Sequence, residues 1–276
     1  MNYQMFLNLP NEQFKRRFGV HKLTFYQMSD ALKPLWIVEP QRGPKPKLCL
    51  EEQVLITLEY WREYRTYFHI GTSWGISEST VCRIVKKIET KLLQSGKFRI
   101  QGKKFLLKAE EKPELIVMDV TETPIQRPKT KQKQFYSGKK KYHTLKCQLI
   151  INQETKAIIC IFCGQGRCHD FSLFKASKIH FFPETKCLQD SGYQGIQKYH
   201  SNSYTPKKKT KNGQLSKLEK DYNRILAKER IMIEHVNRKL KIFKILSERY
   251  RNRRRRYGLR CNLLAAIYNY ELTLTA

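Results

Sequence analysis

The chain has 276 residues, 40% of them hydrophobic, which is enough for one large domain or for a small domain beside a medium one. Its formal net charge of +30 and pI ≈ 9.9 favour a polyanionic partner, and nucleic acid is the commonest. No run approaches the roughly 20 apolar residues of a spanning helix. The start "MNYQMFLNLPNEQFKRRF" lacks the long apolar stretch of a secretory signal. A cytoplasmic protein with access to a bacterial chromosome, and without a membrane partner, is therefore expected.

Residues 1–47 are mixed and polar, with short helical patches, and end in "EPQRGPKPK". That Pro/Gly/Lys run is expected to be an extended linker, or an arm of the kind that lies in a DNA minor groove. Residues 48–94 form the first clear module. In "LEEQVLITLEYWREY", Val54, Leu55, Leu58 and Trp61 fall at helical spacing, and "TYFHIGTSW" predicts a second, short helix. Then comes "GISESTVCRIVKKIETKLL". Gly75 supplies a tight turn, Ile76 points back to a small core, and Ser77 caps the next helix. There Val81, Ile84, Val85 and Ile88 make an apolar stripe, leaving Ser79, Thr80, Arg83, Lys86 and Lys87 on the other face. An ordinary helical hairpin has the same outline. The string G-I-S-x-S-T-V-x-R favours a helix-turn-helix, whose second helix enters the major groove.

Residues 95–113 are polar and carry Gly and Pro, as a junction would. Beyond them the pattern changes to strands: "ELIVMDV" ending at Asp119, "HTLKCQLIIN", "AIICIFCGQG", a short run ending at Asp190 in "KCLQDSGY", and an edge strand in "NSYTPKKK". "DFSLFKASKI" predicts a helix opened by Asp170, and residues from about 215 to 249 are helical in pattern. Residues 114–276 thus predict an α/β domain, a mixed sheet with helices on its faces.

Only five Asp occur: Asp30, Asp119, Asp170, Asp190 and Asp221. Two of them, Asp119 and Asp190, close apolar strand-like runs, where ligand sites form in sheets with helical crossovers. Two such acids repel each other unless a cation lies between them, and Mg²⁺ takes one or two carboxylates plus phosphate oxygens. A metal-dependent phosphoryl-transfer site facing nucleic acid follows from this. In "RIMIEHVNRKLK", Glu234 shares a helix face with Arg230 and lies beside an apolar stripe of Ile233, Val236, Leu240 and Phe243. It is either a third ligand reaching toward the strand ends, or a surface i,i+4 partner of Arg230 or Arg238. Asp170 opens a helix, the usual place of an N-cap. Glu122 is near enough in sequence to assist Asp119 or to be a strand-end surface charge. "CIFCGQGRCH" holds zinc-type residues without the second pair that zinc needs, and Cys160 suits a buried strand. The clusters "RPKTKQK", "SGKKKYH", "PKKKTK" and "YRNRRRRYGLR" combine cations with aromatic rings, as phosphate contact and base stacking require. Within the last, Arg253, Arg254 and Arg255 are candidate DNA contacts.

The strings "MDVTETPIQRPKTKQKQFYSGKKKYHTLKCQ", "GRCHDFSLFKAS", "QDSGYQGI" and "LAKERIMIEHVNRKLKIFKILSERYRNRRRRYGLRCNLLAAIYNYEL" resemble bacterial insertion-sequence transposases of the IS-five type, relatives of the Harbinger elements. With the helix-turn-helix they cover nearly the whole chain from about residue 30 onward. The resemblance implies an RNase H-like catalytic core with a metal-binding Asp-Asp-Glu triad, on Asp119, Asp190 and Glu234. It implies two Mg²⁺ ions, with Mn²⁺ as the alternative ion. Related transposases carry a Tyr-Arg-Glu-Lys signature: Arg230 and Lys241 match its phosphate-contacting positions, whereas Ala227 stands where the Tyr would be. Arg238 joins this DNA-facing set. The implied activity is binding of an element's terminal inverted repeats, cleavage at its ends and joining to target double-stranded DNA, by a homo-oligomer on DNA. Two other readings are a nuclease of the same fold that does not join, and a DNA-binding regulator without chemistry.

Overall fold

In a computed structural model, the structure describes residues 3–37, 47–108, 110, 112–209 and 213–274. The chain forms two compact units. The first takes 1–99, 240–248 and 262–276, and the second 100–239 and 249–261.

The first unit is helical. Helices α1 (Tyr3–Leu7), α2 (Asn11–Phe18) and α3 (Lys22–Ile37) lie where short helical patches were expected, ahead of the linker run. They fold because Phe14, Phe18, Phe25, Met28 and Leu32 recur at helical spacing and are fully buried. The expected linker "EPQRGPKPK" lies outside the described residues except for Lys47. Helices α4 (Leu50–Glu63), α5 (Tyr67–Trp74) and α6 (Glu78–Gln94) form the helix-turn-helix. Gly75 turns the chain with a left-handed φ of 66°, and the Ser77 hydroxyl accepts from the Thr80 backbone N–H at 3.3 Å. The expected stripe Val81, Ile84, Val85 and Ile88 is buried. Two buried carboxylates lock the helices together. Glu59 accepts from the Trp74 indole at 3.0 Å and from Arg65 at 2.7 Å, and Glu89 accepts from the Trp61 indole at 3.1 Å.

Late segments complete this unit. The Phe243 ring lies where a side chain on Gly19 would be. Glu271 accepts from the His21 backbone N–H at 2.7 Å and the Thr24 hydroxyl at 2.6 Å, and Phe98 meets Tyr270 edge-on at 5.6 Å.

The turn between α5 and α6 depends on Gly71. A Cβ there would lie 2.6 Å from the Ile76 carbonyl oxygen, a backbone atom that cannot swing aside. Gly71→Ala is expected to destabilise the unit by about 1–3 kcal/mol, the usual cost of overpacking. A lowered thermal midpoint with weakened DNA binding is the expected pair of results, and an unchanged midpoint would refute it.

The second unit is built on a mixed sheet. Its strands are β1 (Leu115–Pro124), β2 (Tyr136–Ser137), β3 (Tyr142–Asn152), β4 (Ile158–Gln165), β5 (Lys186–Leu188) and β6 (Ser203–Tyr204). β1 is central, antiparallel to β3 and parallel to β5. β4 pairs with β3, and the short β6 lies parallel to β5 at the edge. The hairpin-joined strands come first and the parallel ones after a helical crossover, which is the order of an RNase H-like sheet. β1 runs five residues past Asp119, to Pro124, because Thr121–Pro124 keep pairing with Thr144–Cys147 of β3. A short 3₁₀ helix, Lys103–Leu107, sits inside the expected junction and buries Leu106 in a core with Ile116, Met118, Ile150 and Phe174. Helices α7 (Gln132–Phe135), α8 (Asp170–Ser177) and α9 (Lys217–Lys241) follow their strands. Helix α10 (Lys244–Ser247) and most of α11 (Tyr257–Thr273) belong to the first unit. Ile233, Val236, Leu240 and Phe243 are all buried, as their spacing predicts. No described helix is long and apolar enough to cross a membrane.

Candidate functional site

The parallel pairing of β1 with β5 brings two acids level. Val117 is opposite Leu188, so Asp119 and Asp190, each two residues further on, occur at the same height. Asp190 leaves the strand and caps a 3₁₀ turn, its Oδ1 accepting from the Gly192 N–H at 2.8 Å. Asp119 stays within β1, and its Oδ2 accepts from the Asn237 amide at 3.0 Å. Burial raises the Asp119 carboxyl from the ordinary 3.8 to about 6, and the charge of Asp190 adds to the rise. The Arg230 guanidinium opposes it. Asp119 thus holds its carboxyl in a poorly hydrated place beside a second acid, where a cation would offset both burial and repulsion.

Gly192 is the floor of this site. A Cβ on it would sit 2.8 Å from an Asp170 oxygen and 2.9 Å from an Asp190 oxygen. Only a hydrogen fits between those two carboxylates. Tyr193, fully buried, donates its hydroxyl to the Gln148 side chain at 3.3 Å. Its phenol is held well above its usual range by burial and then by Asp119, Asp170 and Asp190.

Asp170 begins α8, as expected, but is not its cap. His169 holds that position without a side-chain cap bond. Instead Asp170 pairs with Lys146 at 2.7 Å, because that nearly buried ammonium needs an anion. Lys146 also donates to the Cys168 carbonyl and lies 3.9 Å from Glu122, which itself accepts from the Thr144 hydroxyl at 2.7 Å. Glu122 is therefore a partly buried member of this network and not a surface charge. Asp170 has its own cation. Among the described residues, no Lys or Arg nitrogen lies within 4.0 Å of Asp119 or Asp190.

Glu234 is exposed on α9, between Arg230 and Asn237 along the helix and on nearly the same face. Both of those neighbours interact with Asp119. Among the described residues no cationic nitrogen lies within 4.0 Å of Glu234, so the i,i+4 pairs with Arg230 or Arg238 are not formed. Nor are the three acids drawn tightly together. The one described trio of His, Cys, Asp or Glu ligand atoms lying within 4.8 Å of one another is Cys147, Cys163 and Cys261. Two buried polar atoms beside Asp119 have no hydrogen-bond partner, Oδ1 of Asn237 and Nε of Arg230. Asn237 was not among the sequence-derived candidates. Its signal was the seven-residue offset from Arg230, which returns a helix to nearly the same face.

The basic clusters converge. Arg127, Pro128, Lys129 and Thr130 line one hollow with Tyr250, Arg253 and Arg254, and Arg127 also lines a second with Lys133, Tyr136, Gly138, His143 and Arg167. Arg253, Arg254 and Arg256 adopt left-handed backbone (φ 46°, 67° and 59°), and the Arg254 guanidinium covers the Phe135 ring at 4.4 Å. Arg238, Lys241 and Arg255 are exposed. "PKKKTK" is described only as far as Lys209. On α6, Ser79, Arg83 and Lys86 are exposed and Thr80 is half-buried. Arg83 donates to the Ser79 hydroxyl at 3.1 Å. Lys87 lies instead over the Trp36 ring at 4.0 Å, so part of its task is to hold α3.

A leading helix-turn-helix and two acids brought level, one within β1 and one just past β5, define a DNA-binding protein with a nuclease-type sheet. Residues 118–269 match the family described as DDE superfamily endonuclease, and residues 46–98 match the helix-turn-helix of DDE superfamily endonuclease. The chain belongs to this family of DDE transposases. It is 56% identical over 268 residues to the probable transposase for insertion sequence element IS702 from Microchaete diplosiphon, covering 97% of each chain. No solved structure matches it.

Proposed function

We propose that the chain is a DNA transposase that cuts the ends of an insertion sequence and joins them to target DNA, with Asp119, Asp190 and Glu234 as its metal ligands. The observation that carries this reading is the level placement of Asp119 within β1 and Asp190 just past the parallel β5, where burial raises the Asp119 carboxyl to about 6. The donor set fits a hard cation. Asp119, Asp190 and Glu234 offer carboxylate oxygens, and the buried Asn237 Oδ1 is a further oxygen without a partner. Asp170 is the weaker ligand, since Lys146 already neutralises it. A pair of Mg²⁺ ions, or Mn²⁺, would supply activation of the attacking oxygen and stabilisation of the leaving one.

The protein's own groups do the rest. Asn237 orients Asp119 through its amide. Arg230, half-buried, turns the exposed part of its guanidinium to a phosphate oxygen of the scissile strand, and Lys241 and Arg238 extend that contact along α9. Ser79, Thr80, Arg83 and Lys86 read the terminal inverted repeat from α6. Arg253, Arg254 and Arg255 line the path of the flanking duplex with the cations of "RPKTKQK" and "SGKKKYH". Water opens the phosphodiester at the element's end. The freed 3′ hydroxyl then attacks a target phosphate in the same site, and no protein–DNA bond is needed. Two ends cut in concert call for at least a dimer on DNA.

The test is cleavage and joining of labelled element-end DNA by the purified chain, with Mg²⁺ and with EDTA. Both steps are expected with Mg²⁺ and neither with EDTA. Cleavage without joining would leave a nuclease. Binding without cleavage would leave a regulator.

A further inference from the structure

The second unit carries a cluster of thiols that the phosphoryl-transfer chemistry does not use. Cys147 on β3 and Cys163 on β4 are directly opposed in the antiparallel ladder, their sulfurs 3.8 Å apart. Cys261 on α11 brings a third sulfur, and all three lie within 4.8 Å of one another. Cys147 and Cys261 are buried, whereas Cys163 is partly exposed.

Buried cysteine is often no more than a small hydrophobe, and this chain supplies that comparison itself. Cys160, three residues before Cys163, faces the other side of the sheet and packs among Ile116, Met118 and Ile150. Its thiol is pushed up to about 12 by burial, which makes it inert. Cys163 differs in kind. Its thiol is drawn well below the usual value by hydrogen bonding with Cys147 and Cys261. Three sulfurs around one centre at metal–sulfur distances of about 2.3 Å would stand roughly 3.8–4.0 Å apart, the spacing already seen for Cys147 and Cys163.

We propose that Cys147, Cys163 and Cys261 form a three-thiolate site for a soft, thiophilic metal ion, copper(I) foremost. Three thiolates are soft ligands of the kind that select copper(I) or zinc. Structural zinc almost always takes four ligands. Among the described residues no fourth Cys, His, Asp or Glu joins the trio, so the coordination number favours copper(I). Binding exchanges the ion for the thiol protons, up to three of them released to solvent, and nothing is oxidised or reduced. The bound ion would tie β3, β4 and α11 together one alternate position along the ladder from Asp119, since Cys147 pairs with Thr121 and Leu149 with Asp119. It is a staple for the sheet, and its existence does not depend on the DNA chemistry.

The test uses the reduced full-length chain under anaerobic conditions, titrated with copper(I) against a chromogenic copper(I) chelator. One copper per chain is expected, with an ultraviolet thiolate-to-copper band and a raised thermal midpoint. Cys163→Ser, at the partly open position, should keep its far-ultraviolet spectrum and lose copper affinity at least about a hundredfold, beyond the effect of losing a mere supporting group. Cys261→Ser is the second variant, in case the first fails to fold. Cys82→Ser and Cys168→Ser should retain copper. Copper held equally by Cys163→Ser, no copper held against the chelator, or a Cys147–Cys163 disulfide whose reduced form takes up no metal would each overturn the proposal. Retention of zinc in preference to copper would overturn the three-coordinate assignment.

Discussion

Asp119→Asn is expected to abolish end cleavage and at the same time make the metal-free protein more heat-stable above pH 6. The activity loss follows from removing a ligand, and should exceed the 10–100-fold typical of removing a group that only supports one. The stability gain follows from the raised carboxyl. Asp119 titrates near 3.8 in the unfolded chain and at about 6 in the folded one. Between those values the folded state holds a proton that the unfolded state has released. Stability therefore falls as pH rises from about 4 to about 6, and it stays lower above that, by on the order of 3 kcal/mol at most. Asparagine never ionises, so it escapes this cost. Thermal melts in EDTA should show the variant more stable at pH 8 and level with the parent at pH 4. A variant less stable at pH 8 would mean that the Asp119 charge is compensated in the folded protein. Mg²⁺ should stabilise the parent at pH 8 and not the variant, by mass action on the folded state.

Glu234→Gln should separate chemistry from structure even more cleanly. The residue is exposed, and no described cation pairs with it. Its replacement should move the thermal midpoint by no more than surface changes usually do, about 0.5 kcal/mol or less. If Glu234 is the third ligand, cleavage and joining should both fall at least about a hundredfold while binding to element-end DNA persists. Cleavage at the parental rate would remove Glu234 from the site and leave Asp170, despite its pairing with Lys146, as the nearest replacement.

The two halves of the chain were not equally legible. The helix-turn-helix could be read because its determinants are local: a left-handed Gly75, a capping Ser77 and a stripe at helical spacing all fall within fourteen residues. The first three helices showed only as short helical patches, since Phe14, Phe18 and Phe25 are scattered among Lys, Arg and Gln and gain their meaning only on packing together. Asp119 and Asp190 stood out because acids are scarce and both follow apolar runs. Their common height depends on parallel register, which no short window contains. Glu234 was undecided between ligand and salt-bridge partner until the resemblance was considered, because helical spacing serves both roles. Lys146, Gly192 and Asn237 carried little signal: one is another lysine in a basic chain, one a glycine in a turn, one a polar residue on an amphipathic helix. Each acquires a role only when strands distant in sequence place it against a carboxylate. Cys147 and Cys261 were invisible for the same reason, being 114 residues apart in a chain whose only conspicuous cysteine spacing, Cys160 to Cys163, places its members on opposite faces of a strand.

The first unit draws on three stretches of chain, and this has a bearing on synthesis and inheritance. Glu271 and Tyr270, which hold His21, Thr24 and Phe98, are made long after the segments they secure, Glu271 following His21 by 250 residues. The helices that would grip DNA cannot finish packing until those residues have been made. A copy of the gene with a premature stop codon would thus yield fragments lacking part of their own DNA-binding unit, fit for proteolysis and poor competitors for the element's ends. Silencing by truncation before these residues should remove the protein outright, and a repressor could evolve from it only by losing catalytic side chains while keeping the reading frame through Glu271.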